Sequence, residues 1–189
     1  MSLQQPSRRS WLKAGWKAGS GLALGGIASA WVLPVHASLG PSSKKLSMDH
    51  THTREQIGLV YAVGDAYLPP SLSRLNVFLR DHYSGDVGKM DPRLYDMLFL
   101  IRRQLGTQAS FQIISGYRSP NTNERLRTTR GGGVAKRSLH MDGKALDIRL
   151  PGVPLSDLRD AALSLKQGGV GYYPRDQFVH IDTGKPRTW

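Results

Sequence analysis

The chain is 189 residues long, room for one ordinary domain, and its 26 Lys and Arg against 14 Asp and Glu give a formal net charge of +12. It has no cysteine, so disulfides contribute nothing and stability has to come from a packed core and any bound ion. Such basicity is common in nucleic-acid binders, but no nucleic-acid-binding motif is recognisable, and the first residues of the chain argue against that class.

Ser7-Arg8-Arg9-Ser10-Trp11-Leu12-Lys13 pairs two arginines with an apolar residue two positions on, ahead of a weakly apolar run from Ala18 to Leu33. Gly19, Ser20, Gly21, Gly25, Gly26 and Ser29 interrupt that run, which falls well short of the ~20 strongly apolar residues of a stable membrane span. Val35-His36-Ala37 places small or short side chains where a signal peptidase reads, so cleavage is expected after Ala37. The segment resembles a twin-arginine (Tat) export signal, which implies the Tat machinery as a partner and the periplasm as destination. Residues 1–37 hold four basic residues and no acid, so the remainder keeps 22 basic against 14 acidic residues and its basicity is intrinsic. Residues 38–45 read as a polar linker and 46–189 as one domain without internal repeats, while nothing indicates an oligomeric state.

Within that domain, Leu46, Met48 and His50 alternate with polar residues, and Ile57 to Tyr61 is β-rich, which predicts a hairpin turning near Thr53–Gln56. Leu72, Leu75, Phe78 and Leu79 make a helical stripe. A second helix is capped by Asp91 with Pro92 first, buries Leu94, Met97, Leu98, Ile101 and Leu105, and ends at Gly106. Phe111 to Ile114 is a short strand leading into Ser115-Gly116-Tyr117-Arg118-Ser119-Pro120. Asn121 and Glu124 have capping-box spacing for a polar helix reaching Arg130. Ala145 to Leu150 reads as a strand, Leu155 to Gln167 as a helix closed by Gly168, and Val170–Tyr173 with Phe178–Asp182 as a hairpin. Helices first and hairpins later give an α+β expectation: one small domain whose antiparallel sheet carries the site, with helices packed on one side.

Strand periodicity locates that site. Leu146, Ile148 and Leu150 share one face and leave Asp147 on the other, while Val179 and Ile181 oppose His180 and Asp182. His140 precedes Asp147 by seven residues, and the Asp142-Gly143 turn can swing it back over that strand. Two imidazoles and one carboxylate leave a fourth tetrahedral position open, the donor set of a hydrolytic Zn2+ site.

Ser138 to Ile148 reads Ser-x-His-x-x-Gly-x-Ala-x-Asp-Ile; with Ser115-Gly116-Tyr117-Arg118-Ser119 upstream and Val179-His180-Ile181-Asp182 downstream, it resembles the lysostaphin, D-Ala-D-Ala carboxypeptidase and hedgehog zinc superfamily. Within it, the chain is most similar to the twin-arginine-exported murein endopeptidases. The resemblance implies His140, Asp147 and His180 as zinc ligands and peptidoglycan peptides as substrate, with cross-links between diaminopimelate residues as the bond cut. A D,D-carboxypeptidase and a non-catalytic zinc-containing wall-binding module are the other members it allows.

The carboxypeptidase branch has a glutamate base three residues before its last histidine, and here that position is Gln177. Asp182 is therefore the expected base, two residues beyond His180 on the same face, with orientation of an imidazole as its other possible role and Asp176 as a weaker base. Arg118 suits a substrate carboxylate or an oxyanion. Ser138 can hydrogen-bond a ligand or substrate, whereas Tyr117 is expected to pack. His50 and His52 read as a solvated strand edge without a third ligand, and Gly131–Gly133 as a mobile lip flanked by Arg125, Arg127, Arg130, Lys136 and Arg137.

Overall fold

Alternation along the first strand puts Leu46, Met48 and His50 inside, and the computed structural model, which describes residues 42–129 and 134–189, builds outward from there. The export segment, the sequence up to Pro41, and the Arg130–Gly133 lip lie outside the described residues. In order come β1 (Ser43–His50), β2 (Gln56–Val63), β3 (Ala66–Tyr67), α1 (Pro69–Phe78), α2 (Arg93–Gln104) and β4 (Phe111–Ser115). Then follow α3 (Pro120–Thr129), β5 (Ala145–Arg149), α4 (Leu155–Ser164), β6 (Gly169–Tyr173), β7 (Phe178–Asp182) and β8 (Arg187–Thr188). β1 thus begins inside the stretch expected to be linker.

The strands form one sheet in the order β3-β2-β1-β4-β5-β7-β6-β8. The central β4-β5-β7-β6 ribbon is antiparallel throughout, as expected, but β1 pairs with β4, and β6 with β8, in parallel. Strand periodicity carries no direction; the crossover through α1 and α2 returns the chain parallel to β1. Leu94, Met97, Leu98 and Ile101 of α2 join Leu46 and Met48 of β1 in one core, which Leu158 and Ala162 of α4 extend to Val179 and Ile181 of β7. Each fully buried aliphatic side chain contributes about 2 kcal/mol. α3 gives no residue to this core, so α1, α2 and α4 cover the apolar face and leave the other open to the site.

Two local expectations shift. Ser119, rather than Asn121, starts α3: its Oγ accepts the Thr122 N–H at 3.3 Å, Pro120 is the first helical residue, and Glu124 pairs with Arg127 instead. α4 stops at Ser164, short of Gln167, and Lys166 adopts φ 53°. Gly168 is needed for another reason, since a Cβ there would lie 1.6 Å from the Asp182 carbonyl oxygen.

Candidate metal centre

Three backbone features bring the site together. In the β5–β7 ladder Asp147 lies directly opposite His180, so both side chains project from one face. The Ser138–Lys144 turn, closed by Lys144 N–H to Leu139 O at 2.9 Å, carries His140 above them. Gly143 makes that turn possible with φ 65°, where a Cβ would also strike the Lys89 carbonyl at 2.1 Å. In β4, a register shift between Ile113 and Ser115 puts Ser115 opposite Asp147, turning it from the core to the site.

The imidazoles are oriented by their outer nitrogens. His140 Nδ1–H donates to Gly116 O at 2.7 Å, which leaves the Nε2 lone pair facing Asp147 Oδ1 at 3.3 Å. His180 Nδ1 meets the same oxygen at 2.9 Å, while its Nε2–H donates to Asp182 Oδ2 at 3.2 Å. The ligand atoms of His140, Asp147 and His180 all lie within 4.8 Å of one another, the one group of three among the described residues to converge so closely. Burial pushes the Asp147 carboxyl up, but the imidazoles of His140 and His180 outweigh it and hold the carboxyl far below the usual range. Burial likewise lowers His180, yet its hydrogen bonds to Asp147 and Asp182 raise it to about 9. A buried carboxylate between imidazoles makes a place for positive charge, and two nitrogens with one oxygen match the donors a zinc ion takes.

Asp182 is fully buried behind His180. Its Oδ1 accepts from Gly169 N–H at 3.1 Å, Gly184 N–H at 2.8 Å and Arg187 Nη1 at 3.1 Å; Oδ2 accepts from Arg187 Nη2 at 2.7 Å as well as from His180. Burial opposes ionisation, but His180, Arg187 and the two amides keep the carboxyl well below the ordinary range. It therefore meets His180 on the nitrogen facing away from Asp147, with its acceptor directions taken. Arg118 stands at the opposite edge, Nη2 lying 3.9 Å from Asp147 Oδ2 and 3.4 Å from Ser115 Oγ, and Nη1 3.4 Å from Asn123 Oδ1.

The remaining expected residues take humbler places. Asp176 and Gln177 lie exposed in the β6–β7 turn, where Gln177 Nε2 donates to the Pro174 carbonyl. Ser138 serves the His140 turn through its carbonyl, which accepts Met141 N–H at 3.0 Å, and Tyr117 packs against the core. His50 is no solvated edge residue: it is buried, and its ring lies 5.6 Å from that of His82, a residue 32 positions away that periodicity does not connect to it. Arg127 pairs with Glu124, and Arg125 lies 4.8 Å over the Tyr83 ring.

Sequence reasoning missed Gly116, whose carbonyl orients His140, and Arg187, which holds Asp182. It also missed the glycines of β6. A Cβ at Gly169 would lie 2.5 Å from Asp182 Oδ2, and one at Gly171 would lie 2.7 Å from the Trp189 ring. The Gly-x-Gly alternation on the strand paired with β7 was the available signal.

The family model for Peptidase_M15_2, peptidoglycan L,D-endopeptidase MepK, matches residues 38–189. Peptidoglycan L,D-endopeptidase MepK of Escherichia coli strain K12 is 46% identical over 172 residues, covering 89% of this chain and 94% of that protein. The probable peptidoglycan L,D-endopeptidase MepK of Haemophilus influenzae is 38% identical over 191 aligned positions, covering 100% and 98%. Among solved structures, the Serratia marcescens L-Ala D-Glu endopeptidase ChiX aligns at 18% identity over 51% of this chain and 68% of that one, with a TM-score of 0.34. With matched residues that run through the whole described domain, the chain belongs to the Peptidase_M15_2 family of peptidoglycan L,D-endopeptidases.

Proposed function

We propose that this protein is an exported, zinc-dependent murein endopeptidase that hydrolyses peptide cross-links, those joining two diaminopimelate residues first among them. The observation that carries this reading is the convergence of His140, Asp147 and His180 in a chain of the MepK family. These three residues would hold the zinc ion, with His140 and His180 presenting Nε2 and Nδ1 respectively. Zinc, when bound, supplies the Lewis acidity that peptide hydrolysis requires.

The protein's own groups do the rest. Gly116 O and Asp182 fix the tautomers and ring planes of the two histidines, and Arg187 with the Gly169 and Gly184 amides fixes Asp182. Asp182 is thus proposed as the residue that orients His180, because a carboxylate that already accepts five hydrogen bonds is a poor proton acceptor. Arg118 is proposed to bind a substrate carboxylate or the charge that develops on the scissile carbonyl, a reading supported by its position beside Asp147, partly open to solvent.

Digestion of purified sacculi with zinc-loaded protein, followed by chromatography and mass analysis, tests the reading. Conversion of dimeric muropeptides to monomers is expected. Trimming of terminal D-alanine with every dimer left intact would make it a carboxypeptidase, and retention on sacculi without turnover a binding module. Residues 1–37 are proposed as the Tat signal and 38–45 as the approach to the domain. Changing Arg8 and Arg9 together to Lys should leave unprocessed precursor in the cytoplasm, and normal maturation of that variant would point to the general secretory route.

A further inference from the structure

One row of positions crosses the site face of the sheet. Asp147 lies opposite His180, and His180 lies opposite Gly171, so all three share that face. Arg118 ends the row on the Asp147 side. At the other end Gly171 has no side chain, and the Trp189 indole fills the space.

That indole is held from several directions. Its ring lies 5.3 Å from the His180 ring, its Nε1–H donates to Tyr173 Oη at 2.7 Å, and the Arg187 guanidinium covers it at 4.8 Å. Backbone bonds fix the residue against β6, Trp189 N–H to Val170 O at 3.3 Å and Tyr172 N–H to Trp189 O at 3.0 Å. Tyr173, stacked on Phe178 at 4.5 Å, lengthens the aromatic surface. Yet 48% of Trp189 remains exposed. A rigid ring, half open beside the candidate metal ligands, has contact area left to give, and aromatic rings give it at low entropic cost.

We infer that Trp189 is the aromatic wall of the substrate groove and binds the aliphatic part of the peptide stem on the side of His180 away from Arg118. A stem peptide carries methyl and methylene groups between charged ends, so a cation at one end of the row and an indole at the other match its two chemistries. Arg187 grips both Asp182 and Trp189, so the wall shares its support with the carboxylate that orients His180. The inference rests on the endopeptidase reading above and names a substrate-binding residue within it.

The other three tryptophans are Trp11, Trp16 and Trp31, so the difference in emission between the full chain and its Trp189→Phe variant isolates Trp189. Titrating both, stripped of metal to prevent turnover, with purified cross-linked muropeptide should change the Trp189 emission saturably. In zinc-loaded protein, Trp189→Ala should raise KM about tenfold with kcat held within about threefold, and Trp189→Phe should recover most of the loss. Gly171→Ala, which presses a methyl on the indole, should move KM the same way and carries the test should Trp189→Ala disturb the circular dichroism spectrum. Unchanged Trp189 emission at a saturating concentration of a dimer that the wild type cleaves, or unchanged KM in these variants, overturns the inference. A saturable emission change in the metal-stripped protein, together with zinc-loaded protein that leaves every dimer uncut, supports the wall and overturns the endopeptidase reading instead.

Discussion

His140 and His180 meet with ring centroids 5.1 Å apart at 69°, and His50 and His82 meet at 5.6 Å and 64°. Ring spacing alone does not separate the two pairs; hydrogen positions and carboxylates do. His140 Nδ1 faces a carbonyl, so its proton is held there and the Nε2 lone pair turns inward. His50 Nδ1 instead accepts the amide N–H groups of His52 at 3.2 Å and Thr53 at 3.4 Å, which leaves the hydrogen on a buried, unpartnered Nε2. His52 stacks on His82 at 4.1 Å with the ring planes 2° apart, and parallel rings cannot aim their in-plane lone pairs at one ion. The carboxylates near this second cluster are committed elsewhere, Glu55 to Arg80 and Asp81 to the Ser119 and Tyr83 amides. Burial accordingly lowers His50 and His82 to about 4, while His180 between two carboxylates rises to about 9. A buried histidine pair is suited to a cation only where anions and lone pairs face it, and among these two pairs only His140 and His180 have both.

The largest test of this contrast is ligand removal. Replacing His140, Asp147 or His180 with Ala should bring zinc measured by elemental analysis near zero and abolish muropeptide cleavage, whereas His50→Ala or His82→Ala should leave one zinc per chain. Full hydrolysis by a metal-free His140/Asp147/His180 triple variant would break the comparison outright.

A smaller effect is expected behind the ligand. Asp182→Asn should weaken zinc affinity about 10- to 100-fold, with most turnover returning at saturating zinc. A fall of about 10²-fold in kcat at full zinc occupancy would instead give Asp182 the proton-transfer role.

The smallest effect belongs to the second cluster and appears in stability. His50 and His82 titrate near 4 in the folded chain against 6.5 ordinarily, so the unfolded chain takes protons first as pH falls. Their contribution to stability is complete above about pH 6.5 and is lost as pH falls through about 4. The groups facing them are His52, Glu55 and Arg80 for His50, and His52, His50, Asp81 and Arg118 for His82. Thermal unfolding followed between pH 4 and 7 should show a fall in Tm that a His50→Asn, His82→Gln variant flattens. An identical acid slope in that variant would assign the loss to carboxylates elsewhere.

Local pattern carried much of this molecule. Alternation in Ala145–Leu150 and Phe178–Asp182 separated Asp147 and His180 from the core, and the Asp142-Gly143 turn brought His140 to them, because strand faces and glycine turns are settled by near neighbours in the chain. The stripe Leu94, Met97, Leu98 and Ile101 marked the buried side of α2 for the same reason. Tertiary structure alone decided that β1 runs parallel to β4, that His82 joins His50, and which imidazole nitrogen faces Asp147. It also decided that Gly116 lends a carbonyl to His140, that Arg187 locks Asp182 behind His180, and that Gly171 makes room for Trp189. These depend on strand order and on contacts between distant segments, and a periodicity of two or of 3.6 residues carries no information about either.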